Sequence, residues 1–168
     1  MTGDPTRPPR VVVMGVSASG KSSVGRALAD RLGVAFADAD DLHPAANIEK
    51  MSAGIPLNDD DRWPWLDLTV ARLGSEPGGM VIACSALRRA YRDRIVASAP
   101  DVVFVHLTGS VELLAQRAKE RLDHFMPAAL LTSQLETLED LEDDEPGFAL
   151  DFSRPVAELV EEAAGRIP

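Results

Sequence analysis

An α/β fold, with a mostly parallel sheet covered by helices on both faces, is what this sequence predicts. Three observations carry the prediction. Short apolar, β-rich runs alternate with helical patterns along the chain. The first run, Val11–Met14, leads straight into Gly15-Val16-Ser17-Ala18-Ser19-Gly20-Lys21-Ser22, a G-x-x-x-x-G-K-S loop whose context is a strand before it and a helix after it. The length, 168 residues with 45% apolar content, suits one such domain with a substantial core rather than two.

Taken in order, Arg10–Met14 reads as the first strand and Ser22–Leu32 as a helix stopped by Gly33. Val34–Ala37 is a short second strand. Pro44–Ser52 and about 60–73 carry helical patterns, with Pro64 expected in the first turn of the second, where a missing N–H is tolerated. The turn Pro77-Gly78-Gly79 precedes a third strand, Met80–Ala83, and then a helix over about 87–98. Val102–Leu107 is the fourth strand. Ser110 caps a helix running to about Leu122, His124–Pro127 breaks it, and another helix covers about 128–141. Phe148–Phe152 is the last strand, and Pro155–Arg166 a closing helix with proline at its start. Residues 1–9 are expected to form a disordered tail and 10–168 a single domain. No internal repeat or low-complexity block interrupts it.

The net charge is −10, from 17 basic and 27 acidic residues, which weighs against a nucleic-acid partner. Much of the acidity sits late, in Glu136–Glu145 and at Glu158, Glu161 and Glu162, and reads as solvated helix faces. No apolar run approaches a membrane span, and the polar, proline-rich start has no signal-peptide apolar region, so no membrane partner is expected. The single cysteine, Cys84, cannot form an internal disulfide, which fits a reducing cytoplasm.

The glycines of the 15–22 loop let successive backbone N–H groups curl round a polyphosphate. Lys21 can reach the β- and γ-phosphates, and the Ser22 hydroxyl can ligate Mg²⁺. The helix that follows turns its positive end toward the same phosphates. Many proteins with this loop place the metal-binding aspartate at the end of a later strand, but here those strands end Ala83-Cys84-Ser85 and His106-Leu107-Thr108. The acids stand instead after the second strand, as Asp38-Ala39-Asp40-Asp41. Alternate strand residues share a face, so Asp38 and Asp40 are expected to point the same way. One can hold Mg²⁺ through its waters while the other takes a proton from a substrate hydroxyl.

Between the second and third strands lies a polar stretch with His43, Asn47, Lys50, Asn58, Asp59, Asp60, Asp61 and Arg62. About forty residues there suggest a substrate-covering insertion, roughly 41–75. Its mixture suits a polyhydroxylated, anionic acceptor, with a guanidinium for the acceptor's carboxylate; Arg62 and Arg92 are the candidates. Trp63 and Trp65 read as core or wall. Arg117 and Arg121 are one helical turn apart and lead into His124-Phe125-Met126-Pro127, so they can close over the phosphates from a lid at about 117–130. His124 reads either as a packed lid residue or as a substrate contact. His106, at a buried strand end, reads as structural. No Cys/His cluster points to zinc.

At this point the chain resembles the gluconate kinases (gluconokinases) of the small P-loop type. The resemblance covers nearly everything from Val11 to Asp151. It rests on Met14–Ser22, on Asp38-Ala39-Asp40-Asp41-Leu42-His43-Pro44, and on Asn47–Arg62 with Pro64-Trp65-Leu66. Cys84-Ser85-Ala86-Leu87, Tyr91-Arg92, His124-Phe125-Met126-Pro127, Leu130-Leu131 and Ser133-Gln134 complete it. Small departures are Ala18 and Ala39, where many relatives have glycine, and Leu122-Asp123, where a basic residue and glycine are frequent.

The resemblance implies a three-layer, nucleoside-kinase-like fold with a small lid, phosphorylation of D-gluconate to 6-phosphogluconate by ATP with Mg²⁺, and commonly a homodimer. It implies ATP binding by Gly15 to Ser22 with the adjoining Ser23, and metal binding by Ser22 and Asp38. Together with the residue reading above, this puts Asp40, His43, Lys50, Arg62, Arg92 and His124 toward the acceptor, and Lys21, Asp40, Arg117 and Arg121 in catalysis. The residues alone also admit another small-molecule kinase of the same fold, shikimate-like or adenylylsulfate-like, or a nucleotide-binding module without turnover. Lys21→Ala is expected to abolish gluconate-dependent ADP formation; a fully active variant would remove the loop from the reaction.

Overall fold

The computed structural model describes residues 7–120 and 128–168. Arg121 and His124, with the centre of the expected lid and most of the N-terminal tail, lie outside the described residues.

Five parallel strands form one sheet: β1 (Arg10–Met14), β2 (Ala35–Asp38), β3 (Met80–Ala83), β4 (Val103–Thr108) and β5 (Gly147–Asp151), in the spatial order β2-β3-β1-β4-β5. Among the described residues seven helices accompany them: α1 (Lys21–Leu32), α2 (Ala45–Ser52), α3 (Asp59–Gly74), α4 (Arg89–Ser98), α5 (Val111–Glu120), α6 (Ala128–Thr137) and α7 (Val156–Arg166). The chain leaves β1 toward β2 in one direction and moves the opposite way from β2 through β5. Right-handed crossovers therefore put α1 on one face of the sheet and the later connections on the other. α7 returns to pack on α1, and α3 packs on α4. This is the three-layer α/β, nucleoside-kinase-like fold. Among the described residues no helix is long and apolar enough to cross a membrane.

The central strands are apolar runs because helices cover both their faces. Val11 to Met14 and Met80 to Ala83 are buried throughout, and Phe104, Val105 and Leu107 join them. Strand ends come into register at one edge, where Asp38 and Val13 each pair with Ala83 and Met14 pairs with His106. β1 is where the direction of travel reverses, so its carboxyl end opens a crevice.

Local signals set most boundaries. Gly33 ends α1 in a left-handed conformation (φ 71°), its N–H reaching the Ala29 and Asp30 carbonyls. Asn58 and Asp61 form a reciprocal capping box at the start of α3. Ser110 Oγ accepts from Leu113 N at the start of α5.

Four expectations need correction. Pro64 sits in the second turn of α3, not the first, and the helix runs through it. α6 ends at Thr137 rather than near 141, because the chain beyond it is drawn into tertiary bonds: Glu139 N donates to the Leu87 carbonyl, and Glu139 Oε1 accepts from Arg89 N at the start of α4. That remote cap also explains why α4 begins at Arg89. The acidic run after α6 is more than a solvated face, for Asp144 and Glu142 hold the Arg89 guanidinium and Glu145 is buried.

Glu145 is buried against Arg92, which is the fourth correction. Arg92, expected at the acceptor, is fully buried. Its Nε and Nη2 donate to the two oxygens of Glu145 (2.6 and 3.1 Å), and Nη1 donates to the Ala86 carbonyl (2.9 Å). A guanidinium that deep needs a partner for its charge, and the fold supplies one. Burial opposes ionisation of Glu145, but the Arg92 hydrogen bonds and the Glu142 N–H hold its pKa below the ordinary glutamate value. A carboxyl depressed in the folded state contributes stability above its unfolded pKa and loses it as pH falls through the folded one. Glu145→Gln is therefore expected to cost about 3–5 kcal/mol near neutrality. The gap to the unaltered protein should close as pH drops below the ordinary glutamate range, in thermal melts of both over a pH series.

Candidate active site

The crevice at the carboxyl end of β1 is a cleft lined from the 15–22 loop, Asp40, His43, Arg62 and Gln134. Its floor is the 15–22 loop. Gly15 has φ 148°, and a Cβ there would stand 2.8 Å from Ser19 Oγ and 3.1 Å from the Leu107 carbonyl oxygen. Gly20, the residue before α1, is left-handed at φ 96°. Position 18 is free in the motif, yet Ala18 is also left-handed (φ 69°), a conformation costing an alanine roughly 1–2 kcal/mol. A glycine there would adopt the same conformation without that cost. Lys21 Nζ donates to the Val16 carbonyl at 2.9 Å, across the mouth of the loop. Ser17, Ala18, Gly20, Lys21, Ser22 and Ser23 all face the cleft.

Asp38 ends β2 and joins this floor to the rest of the site. Its Oδ2 accepts from Ser22 Oγ at 2.5 Å, and its Oδ1 accepts from Asp40 N at 2.9 Å. The second bond makes Asp38 the cap of a short 3₁₀ turn, Ala39–Leu42. Asp40 is thus not one alternation further along a strand. The strand stops at Asp38, and the turn aims the second carboxylate into the cleft.

His43 follows the turn and lines the same cleft. Its ring stacks on Trp65 (centroids 4.4 Å apart, planes 12° apart), and its Nε2 lies 3.9 Å from Asp40 Oδ1. Burial lowers its pKa to about 4, Arg62 pushing the same way and Asp38 opposing. The ring is neutral at physiological pH. Trp65 is itself anchored through Nε1 to the Ala39 carbonyl at 2.7 Å. Burial raises the Cys84 thiol to about 12, which makes it an inert core residue.

Arg62 enters the cleft from the first turn of α3. Its Nη1 donates to Tyr91 Oη at 2.9 Å, so the phenol's own proton goes to Asp59, its other close partner. Tyr91 thereby orients Arg62 without cancelling its charge, and among the described residues no carboxylate stands within salt-bridge distance of that guanidinium. Lys50 is different. Its ammonium donates to Asp61 Oδ2 at 2.7 Å, tying α2 to the capping box of α3, and it does not line the cleft. The bond to Lys50, with that from the Asn58 N–H, lowers the Asp61 pKa. The acceptor role expected of Lys50 is at odds with this commitment.

Arg117 also lies apart from this cleft. Its Nη2 donates to the Phe152 carbonyl (2.9 Å), and it lines a second hollow with Ser19, Ser23, Phe152 and Arg154 on the other side of the loop. The structure therefore brings Lys21, Ser22, Asp38, Asp40, His43 and Arg62 together, and leaves Lys50, Arg92 and Arg117 outside that cluster.

Reasoning from residue types gave no role to Ser85, Tyr91 or Gln134. Gln134 Oε1 accepts from Ser17 N at 2.7 Å, so α6 touches the loop directly. Ser85 lines the cleft beside Ala86, another left-handed alanine (φ 43°). Their signal was positional: all three lie inside the short segments Cys84–Leu87, Tyr91-Arg92 and Ser133-Gln134.

Residues 11–141 match the protein family described as an AAA domain. A probable gluconokinase of Xenopus tropicalis is 45% identical, over 94% of this chain and 92% of its own length. A gluconokinase of Gluconobacter oxydans is 50% identical, over 83% and 80%. The chain belongs to the gluconokinase family. A crystal structure of a gluconokinase from Sinorhizobium meliloti superimposes with a TM-score of 0.85 at 52% identity, covering 95% of this chain and 91% of that one. The family is one of P-loop kinases that use ATP.

The donor set suits Mg²⁺. The Ser22 hydroxyl and Asp38 carboxylate are paired hard oxygens beside the loop. Two protein oxygens of this kind suit a cation shared with phosphates rather than enclosed by protein. Gly15→Ala is expected to deform the loop by forcing Cβ against Ser19 and Leu107. Nucleotide binding, read by calorimetry, should fall by at least tenfold, with the fold retained by circular dichroism.

Proposed function

We propose that this chain transfers the γ-phosphoryl group of ATP to the terminal hydroxyl of D-gluconate, giving 6-phospho-D-gluconate and ADP. One observation carries the reading in a member of this family: a single cleft holds the phosphate loop, a carboxylate at Asp40 and a guanidinium at Arg62 with no salt-bridge carboxylate among the described residues. A polyol acid needs those three groups, and a phosphate donor, a hydroxyl and a carboxylate match them in turn.

In this mechanism the loop amides and Lys21 hold the donor's phosphates. Ser22 and Asp38 would hold Mg²⁺, which neutralises phosphate charge when bound. Arg62, kept in place by Tyr91, pairs with the acceptor carboxylate and so directs the far end of the molecule toward the γ-phosphate. The terminal hydroxyl oxygen attacks phosphorus, the bond from phosphorus to the β–γ bridging oxygen breaks with its electron pair going to ADP, and Asp40 takes the hydroxyl proton. Rate enhancement comes from positioning and charge stabilisation rather than covalent chemistry. Arg117 is read on the donor side, beside Ser23, and Arg121 and His124 keep the lid roles that the resemblance implies. A homodimer acting in the cytoplasm is the expected setting.

The test is ADP formation over a panel of sugar acids and the uncharged six-carbon polyol glucitol. Gluconate is expected to be phosphorylated and glucitol not, because the latter offers Arg62 nothing to pair with. Asp40→Asn should lower turnover by orders of magnitude with little change in ATP affinity. Equal rates with glucitol, or near-normal turnover of Asp40→Asn, would overturn the respective assignment.

A further inference from the structure

Asn47, on α2, is buried (3% exposed) and lies behind the cleft rather than in its lining. Its Nδ2 is 3.0 Å from the Asp61 carbonyl oxygen and 3.2 Å from His43 Nδ1. A carbonyl oxygen only accepts, so the NH₂ end of Asn47 must face it. The second hydrogen of that NH₂ then points at His43 Nδ1, which must present a lone pair. The one proton of the neutral ring is left on Nε2. The ring is held against turning over by its stack on Trp65 and by a side chain only 4% exposed.

We propose that Asn47 is a positioning residue: fixed by the Asp61 carbonyl, it sets the His43 tautomer so that Nε2–H faces Asp40 and the acceptor. The choice of tautomer has a chemical consequence. A lone pair in that position would be a second base competing with Asp40 for the hydroxyl proton. An N–H there is a directional donor for an acceptor oxygen, and leaves Asp40 as the base. Charged groups facing the ring come from each element around it: Asp38 at the end of β2, Asp40 in the following turn, and Arg62 on α3. Burial and Arg62 outweigh Asp38, so the ring stays neutral and the tautomer, not charge, is what Asn47 decides. The tautomer is a property of the chain itself; its use by the acceptor rests on the reaction proposed above.

The test is ¹⁵N-detected NMR of the histidine rings in the full chain, with His43→Gln to assign the signal among the three histidines. Wild-type His43 is expected to show protonated Nε2 and bare Nδ1, unchanged between about pH 6 and 8. Asn47→Asp replaces the donor with an acceptor and should move a proton onto Nδ1. It should raise the gluconate KM about tenfold or more, leave the ATP KM unchanged and add a near-neutral ionisation to kcat/KM. A bare Nε2 in the wild type, or an unchanged tautomer in Asn47→Asp, would overturn the proposal. The wild-type spectrum decides by itself should the variant not fold. Should the tautomer behave as expected while no acid in the panel is phosphorylated, the positioning role of Asn47 stands and the reaction is the part that fails.

Discussion

The two bonds accepted by Asp38 hold the site together. One carboxylate, at the end of an edge strand, accepts from Ser22 in the first turn of α1 and from the backbone N–H of Asp40. The first bond locks the phosphate loop to the sheet two strands away. The second bends the chain into the turn that presents Asp40 and starts the path to His43. Removing Asp38 would loosen the loop and the turn together, leaving Arg26 of α1 over the Phe36 ring as a remaining side-chain tie to β2. The place where other proteins with this loop put a strand-end acid is taken here by Cys84, whose buried, protonated thiol carries no charge to compete with Asp38.

Charge is abundant in this chain, but pairing decides which charges are available. Arg92 and Lys50 each end on a carboxylate and serve the fold: one cross-links α4 to the segment after α6, the other fixes α2 against α3. Arg62 ends on a phenol. A phenol orients a guanidinium without neutralising it, so Arg62 keeps its charge at the cleft. Two alanines in left-handed conformation, Ala18 and Ala86, flank the same cleft. Backbone strain of this kind persists where surrounding structure over-determines it, and here it accompanies the groups that must be held at fixed positions.

Much of this was legible from the residues. Each strand falls within a residue or so of the apolar run that announced it, because central parallel strands are buried on both faces and leave an unbroken hydrophobic signature. Gly33 and Ser110 marked helix ends through local chemistry that needs no partner elsewhere. The ends of α4 and α6 were not legible in the same way. They depend on Glu139 reaching Arg89, fifty positions earlier, and no local pattern records such a cap.

The sequence by itself determined the parallel α/β architecture, the phosphate loop, the Asp38–Asp40 pair and the family, since each is written in contiguous residues or in spacing along one element. Only the tertiary structure decided which of several similar side chains line the cleft. Arg62 and Arg92 look alike as residues, and so do Lys50 and Lys21. Their roles separate only when the fold puts Glu145 against Arg92, Asp61 against Lys50 and Tyr91 against Arg62, since the function of a charge depends on what lies within a few ångströms of it.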